Sequence, residues 1–275
     1  MEKNQITQYL KDFKGEELLP SILEELSKLK KDAVTKGDQK EAKNIWCLEQ
    51  VYKIINHYVT AFKKLKNKDY FEAWNDLDRV DIELSFLRNN LDDDIYNLKF
   101  IEKNISQLQK LFPYKLFMSR ETTVKKWSCS ICNQVISLRK RCKHTVGDIY
   151  DGEMCCRVAG EIEFHGVALV TNPFDKYGVV FPKGKEYNYA ILENLMKSWT
   201  NPYQEWELEI TRELTEEYVG IGRNHPCICN SGKKYKNCCL KSGDNHHDHY
   251  KLVFINPDPS KLITMKKQMI NSWKD

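Results

Sequence analysis

The chain contains 275 residues, of which 30% are charged and 41% are hydrophobic, and its formal net charge is +4. This composition is typical of a folded globular protein. Because no run of about 18 apolar residues occurs, we expect no transmembrane helix, and the polar N-terminal residues lack the apolar core of a signal peptide. We therefore interpret the ten cysteines as metal ligands in a reducing cytoplasm rather than as a disulfide framework.

Residues 1–112 predict a helical domain. Apolar side chains recur at helical spacings of three and four in four successive segments: 18–29, 39–66, 69–91 and 95–111. No glycine or proline lies between Gly37 and Pro113, which suits long helices. Gly37 separates the first two segments, and Asp92 to Asp94 separate the last two. We expect these helices to form a bundle or stacked hairpins.

Residues 113–219 predict a mixed domain with a small antiparallel sheet. Side-chain patterns indicate short strands over 116–118, 122–127, 161–170, 177–182 and 205–212. Apolar residues at helical spacing indicate a helix over 187–199, which Asn201 and Pro202 end.

A group of metal-ligating residue types lies inside this mixed segment. It begins with a Cys-x-x-Cys pair and continues, ten residues later, with a Cys-x-His pair. A tetrahedral zinc ion needs four thiolate or imidazole ligands. The first choice of ligands is Cys129, Cys132, Cys142 and His144. The alternative replaces His144 with Cys155 or Cys156.

Residues 220–239 carry four more cysteines in two tight pairs, with eight residues between the pairs. Two close pairs joined by a short loop can supply four thiolates to zinc without a large fold behind them. Asn230 and Gly232 suit the turn that brings the second pair back to the first. The predicted ligands of this second zinc site are Cys227, Cys229, Cys238 and Cys239.

This stretch resembles the SEC-C motif, the zinc-binding tail of the SecA preprotein-translocase ATPase and of many small bacterial proteins. The match runs from Gly222 to Cys239 and departs from the family pattern at three positions, none of which removes a ligand: His225, Ile228 and Asn230. Cys239 occupies the place where the family has either histidine or cysteine. The resemblance covers about twenty residues and implies a zinc-held interaction module.

Both cysteine-bearing segments are basic. Residues 113–145 carry eight basic and one acidic side chain, and residues 220–275 carry ten and four. Such charge favours an anionic partner. The resemblance implies an acidic protein surface or the ribosome, and nucleic acid fits equally well. The predicted contact residues are Arg223, Lys233, Lys234, Tyr235 and Lys236. We expect the helical domain to bind a second protein.

The sequence His-His-Asp-His at 246–249 offers a further set of metal-ligating types. It supports the alternative function of a metal-dependent hydrolase or nuclease. Adjacent side chains in a strand point to opposite sides, however, which disfavours a shared metal site. We therefore interpret these four residues as exposed polar residues that precede a strand over 250–255. An amphipathic helix is expected over 260–273, with Ser260 as its N-cap.

The motifs of the common enzyme classes do not occur in the chain. His-Glu-x-x-His, Gly-x-Ser-x-Gly and the phosphate loop of nucleotide hydrolases are all missing from the sequence. Both cysteine groups offer four ligands, whereas catalytic zinc keeps one position open for water. We therefore predict a non-enzymatic α+β protein with two Zn²⁺ ions and three segments: the helical domain 1–112, the mixed zinc domain 113–219 and the SEC-C segment with a closing strand and helix 220–275.

Overall fold

Helices build the N-terminal part of the chain. The computed structural model describes residues 1–91, 95–137, 139, 141–255, 268–269 and 272–274. The first five helices are α1 (Lys3–Asp12), α2 (Ser21–Thr35), α3 (Gln39–Lys66), α4 (Tyr70–Leu87) and α5 (Leu98–Leu111). Helix α3 is buried on most of its surface and packs against α2 and α4. Four of these helices confirm the predicted segments, and Asp92 to Asp94 lie outside the described residues.

The α2–α3 connection shows why the chain turns where the sequence predicts. Gly37 adopts a left-handed φ of 71°. Its N–H donates to Val34 O at 2.9 Å, and the N–H of Asp38 donates to Ala33 O at 2.9 Å, which caps the end of α2. The Asp38 carboxylate then accepts the N–H of Glu41 at 3.0 Å and caps the start of α3.

Short antiparallel strands follow the helices. They are β1 (Phe117–Val124), β2 (Trp127–Cys129), β3 (Val135–Ile136), β4 (Ile149–Tyr150), β5 (Glu153–Met154), β6 (Arg157–Ala159) and β7 (Ile162–Val170). They form a β1–β7 ribbon, a three-stranded sheet in the order β3-β2-β6 and a β4–β5 hairpin. The two short strands predicted at 116–118 and 122–127 are therefore mainly one strand. The strand predicted over 177–182 is reduced to a single bridge between Val179 and Phe117.

The remaining elements are α6 (Ala190–Ser198), β8 (Trp206–Leu214), two 3₁₀ turns (Glu216–Tyr218 and Tyr235–Asn237), α7 (Cys239–Ser242), β9 (His246–Phe254) and β10 (Gln268–Met269). Strand β9 lies between β8 and β10. It begins at His246, four residues before the predicted strand. The helix predicted over 260–273 falls mainly outside the described residues, but Gln268 and Met269 pair with β9 in extended conformation.

The chain divides into two units, residues 1–184 with 201–203, and residues 185–200 with 204–275. In the first unit, Tyr203 packs against the rings of Phe13, Tyr58 and Phe100. The fold class is α+β, as predicted. The three segments proposed from the sequence remain a prediction. Among the described helices, none combines the length and apolar character needed to cross a membrane.

Replacing Gly37 with alanine is expected to lower the free energy of unfolding by about 1 kcal/mol, because an L side chain is strained at a left-handed φ. No atom lies within 4 Å of an added Cβ, so backbone strain is the only cause. Urea unfolding followed by circular dichroism measures the loss. The matched control is Lys36→Ala, because the backbone of Lys36 is right-handed and alanine is not strained there. This variant should change the free energy of unfolding by less than about 0.5 kcal/mol. Equal losses in both variants would contradict the argument.

Candidate metal centres

The group of Cys129, Cys132, Cys142 and His144 is called the central cluster. Its first half is a knuckle at the end of β2. The N–H of Cys129 donates to Gln134 O at 3.0 Å, and the N–H of Asn133 donates to Cys129 O at 2.9 Å. Asn133 adopts a left-handed φ of 58°, which turns the chain back after Cys132. The N–H of Ile131 points at Cys129 Sγ, 3.4 Å away. Backbone geometry thus presents both thiols to one point.

The second half of the cluster comes from the loop before β4. The ligand atoms of four residues lie within 4.8 Å of one another: Cys129, Cys132, Cys142 and His144. His144 Nδ1 lies 3.7 Å from Cys129 Sγ. Ligands about 2.3 Å from a tetrahedral zinc are separated by about 3.8 Å, so this distance fits a shared ion. The His144 ring packs edge-on against Tyr150. The structure therefore brings together the first-choice residues.

Cys155 is a candidate fifth donor beside this cluster. Its Sγ lies 3.7 Å from Cys129 Sγ, and its side chain is buried. Its N–H donates to Asp148 O at 2.8 Å, and its carbonyl accepts the N–H of Gly147 at 2.9 Å. Cys156 is exposed, and its backbone hydrogen-bonds to Ser130. Of the two alternatives to His144, the structure therefore places only Cys155 beside Cys129 in the buried interior.

The environments of the thiols differ. Hydrogen bonds from the backbone N–H groups of Cys132 and Ile131 lower the pKa of Cys129 to about 6. Burial raises the pKa of Cys155 to about 11. Cys129 is therefore the thiol of this pair that ionises more readily to the thiolate that binds metal.

Helices α2 to α4 hold the β4–β5 hairpin through polar contacts. Lys30 Nζ on α2 lies 2.7 Å from Glu49 Oε2 on α3 and 3.1 Å from Glu153 Oε1 on β5. Asn90, just beyond α4, donates from Nδ2 to Gly147 O at 3.1 Å. Gly147 also donates to Cys155 O. A chain of polar contacts thus connects the helices to the buried fifth donor.

The second cluster is built by a tight turn. A backbone bridge pairs Pro226 with Lys234, and the N–H of Cys227 donates to Lys233 O at 2.8 Å. Asn230 and Gly232 have left-handed φ values of 60° and 71°, as the predicted turn requires. The second cysteine pair follows at the start of α7.

Four sulfur atoms meet at this turn. The ligand atoms of Cys227, Cys229, Cys238 and Cys239 lie within 4.8 Å of one another. Cys238 Sγ lies 3.4 Å from Cys229 Sγ and 4.0 Å from Cys239 Sγ, distances that bracket the edge of a tetrahedral zinc–thiolate site. All ten cysteines of the chain are among the described residues and are free thiols. The two clusters could therefore each hold a metal ion.

Polar neighbours stabilise these thiolates. The Ser231 hydroxyl lies 3.2 Å from Cys229 Sγ and 3.0 Å from Cys238 Sγ. Hydrogen bonds from the Ser231 side chain and backbone lower the pKa of Cys229 to about 6. The Tyr218 hydroxyl hydrogen-bonds to Cys239, and this hydrogen bond raises the pKa of Tyr218. Sequence reasoning missed Tyr218, because nothing in the spacing of the motif marks a residue nine positions before its first cysteine.

Tyr235 requires a correction. The sequence predicts that it contacts a partner, yet the residue is only 4% exposed. It stacks on Tyr218 with ring centroids 5.5 Å apart, and its hydroxyl accepts Asn245 Nδ2 at 2.6 Å. Tyr235 therefore belongs to the small core beneath the cysteines. The other predicted contact residues are exposed: Arg223, Lys233, Lys234 and Lys236.

The histidines at 246–249 open strand β9. His247 Nδ1 lies 2.8 Å from Thr215 Oγ1, and His246 Nδ1 lies 3.0 Å from Asn245 Oδ1. Alternation along the strand separates His246 from His247 and His249. In the described part of the chain, neither metal-ligand group includes these histidines. The alternative hydrolase or nuclease function therefore gains no metal centre from them.

The two cysteine clusters are of the kind that could hold metal ions, and comparison with known proteins agrees for the second cluster. Residues 223–241 match the family model of the SEC-C motif, so the chain contains this motif. The model covers only this part of the chain. No solved structure matches the chain.

Curated relatives match parts of the chain. It is 36% identical over 77 residues to the protein translocase subunit SecA of Finegoldia magna, covering 22% of this chain and 8% of the relative. It is 31% identical over 83 residues to a UPF0225 protein of Vibrio vulnificus, covering 30% and 50%. It is 70% identical over 20 residues to a UPF0225 protein of Shewanella sp. strain ANA-3, covering 7% and 12%. These matches span half or less of each relative.

Elemental mass spectrometry of the purified chain is expected to find two metal ions per molecule, and Cys129→Ser and Cys227→Ser should each lose one. Each substitution removes one thiolate from a four-ligand set. The control is Cys47→Ala, which removes a buried thiol on α3 outside both clusters and should keep both ions. Loss of both ions in either single variant would show that the sites are not independent.

The identity of the fourth central ligand can be tested in the Cys227→Ser variant, which keeps only the central site. We expect X-ray absorption at the metal edge to find three sulfur atoms and one nitrogen, as the grouping with His144 requires. His144→Ala should then weaken metal binding roughly tenfold or more. Four sulfur atoms around the metal would instead assign the position to Cys155.

Proposed function

We propose that the chain is a non-enzymatic zinc-binding adaptor of the cytoplasm, in which zinc-held modules present basic surfaces to an anionic partner. The observation that carries this proposal is a group of four exposed basic side chains around the SEC-C cysteines: Arg223, Lys233, Lys234 and Lys236. The ion pairs described in the second unit use other cations, namely His249, Lys251 and Lys274. The four side chains are thus available to an anionic partner.

The donor atoms support zinc as the metal. The two clusters consist of seven cysteine sulfurs and one imidazole. Such donors favour zinc, whereas magnesium and calcium prefer oxygen ligands. Four ligands complete a tetrahedral shell and leave no position for a reactive water. The proposed role of both ions is therefore structural.

The burial of Tyr235 supports recognition by charge. Proteins that bind single-stranded nucleic acid combine a positive groove with exposed aromatic rings on which bases stack. Here the aromatic residue within the lysine run, Tyr235, is in the core, so its ring cannot stack on a base. Lysines 233, 234 and 236 instead project from a backbone fixed by the cysteine cluster. This arrangement fits an acidic protein surface or a phosphate backbone contacted through charge.

The helical part of the first unit is proposed to bind a second protein. Ile82 and Phe86 lie one turn apart on α4 and are both exposed. Apolar residues four positions apart lie on one face of a helix. An exposed apolar helix face of this kind can lie in a hydrophobic groove of a partner protein. This face supports the second contact of an adaptor.

Reversing the charge of Lys233, Lys234 and Lys236 to glutamate tests the proposal. The probes are labelled polyglutamate and labelled single-stranded polyuridine, and the measurement is fluorescence anisotropy over a salt series. We expect the wild type to bind at least one probe with an affinity that falls with salt, and the variant to bind roughly tenfold or more weakly. Retained metal content shows that the variant keeps its fold.

The matched control reverses three exposed lysines at the α2–α3 turn: Lys31→Glu, Lys36→Glu and Lys40→Glu. It changes the net charge by the same amount and should leave the affinity within about twofold. Equal weakening in both triple variants would show that only net charge matters. A wild type that binds neither probe would contradict an anionic partner.

A further inference from the structure

The β1–β7 ribbon has one apolar and one polar face. Strand alternation places residues 118, 120, 122 and 124 of β1 on one side. Their partners across the ribbon share that side, and the pairs are Met118–Leu169, Arg120–Val167, Thr122–Phe164 and Val124–Ile162. The opposite face carries the Phe117–Val170 pair at one end and otherwise small or polar residues: Ser119, Ala168, Glu121, Gly166, Thr123 and Glu163.

A β-bulge at His165 creates this segregation. Glu121 pairs with Gly166, and Thr122 pairs with Phe164, so His165 has no counterpart on β1. In a regular strand, residues 164 and 167 would point to opposite faces because their separation is odd. The extra residue at the bulge shifts the alternation by one position, so Phe164 and Val167 lie on the same face of the ribbon. His165 Nε2 lies 2.8 Å from Thr123 Oγ1, a residue of the polar face.

Five side chains of the apolar face are open to solvent. They are between 48% and 66% exposed: Met118, Ile162, Phe164, Val167 and Leu169. We call this set the apolar ribbon face. The one charged residue on the same side is Arg120, whose Nη2 lies 3.0 Å from Asp175 Oδ2. The face therefore carries an internally paired charge and no carboxylate of its own.

The exposed area is large for an isolated molecule. Five half-exposed large side chains add up to roughly 500 Å², near the upper end of the patches that monomers expose. Phe117 anchors the first residue of β1 in an aromatic cluster with Trp74, 6.2 Å between ring centroids. Beyond Phe117, the side chains of β1 and β7 are exposed or half-buried on both faces of the ribbon. Sheets with one apolar face bury it against another layer.

We propose that a second copy of this chain covers the apolar ribbon face, so that two ribbons pack face to face in a two-fold dimer. A two-fold axis brings the same patch together on both sides, and an apolar patch is complementary to itself. Paired sheets pack about 10 Å apart with interdigitating side chains. Covering both patches buries roughly 1,000 Å² in total, the lower bound for a specific interface. This association is independent of the proposed zinc adaptor function.

The test is the molar mass of the full chain in solution, measured by sedimentation equilibrium at tens of micromolar. We expect the wild type to have twice the 32.5 kDa mass of one chain. The double variant Phe164→Lys, Leu169→Lys should raise the dissociation constant at least tenfold, because it places charges in the contact. The matched control, Thr123→Lys with Ala168→Lys, adds the same charges to the polar face and should remain dimeric.

A second measurement covers the case in which the double variant misfolds. A photo-crosslinking amino acid at position 167 should join two copies of the chain, whereas the same group at position 168 should not. A monomeric wild type would overturn the proposal, and a monomer that binds lipid vesicles through this face would assign it to a membrane surface. A dimer unaffected by the double variant would also overturn it.

Discussion

Each cysteine-bearing module brings four potential metal ligands together at one point. Beneath the SEC-C turn, the buried hydrophobic cluster consists of Tyr218, Cys227, Tyr235 and Cys239, and two of these four are proposed metal ligands. So small a core cannot offset the entropy of ordering the surrounding loop. A structural zinc ion contributes roughly 10 kcal/mol or more to folding, which is as large as the net stability of many whole domains. The ligands are therefore both the core and the cross-link of the module.

The sequence predicts those features that depend on local spacing. Cysteines that are adjacent or separated by one or two residues can bind one ion together, and their turns need residues that tolerate left-handed φ, such as Asn230 and Gly232. The long helices follow from apolar periodicity, and the end of α2 follows from Gly37. These are short-range constraints, so the chain reveals them without knowledge of its tertiary contacts.

Features that depend on distant contacts are not predictable in this way. Tyr235 lies within a basic run, and only its contacts with Tyr218 and Asn245 make it a core residue. The sequence predicts one continuous strand over 161–170, and the bulge at His165 becomes visible only when the register with β1 is known. The choice between His144 and Cys155 as a ligand likewise depends on tertiary structure, since both lie 3.7 Å from Cys129 Sγ.

The Lys30 contact has a consequence for the order of assembly. It connects β5 to α2 and α3, so the β4–β5 hairpin, whose Tyr150 ring packs against His144, is held beside the helices. A ligand that is already in place loses less conformational freedom when the ion arrives. The central site is therefore partly ordered on this side before an ion binds. The helical bundle thus influences the metal affinity of a site to which it contributes no ligand.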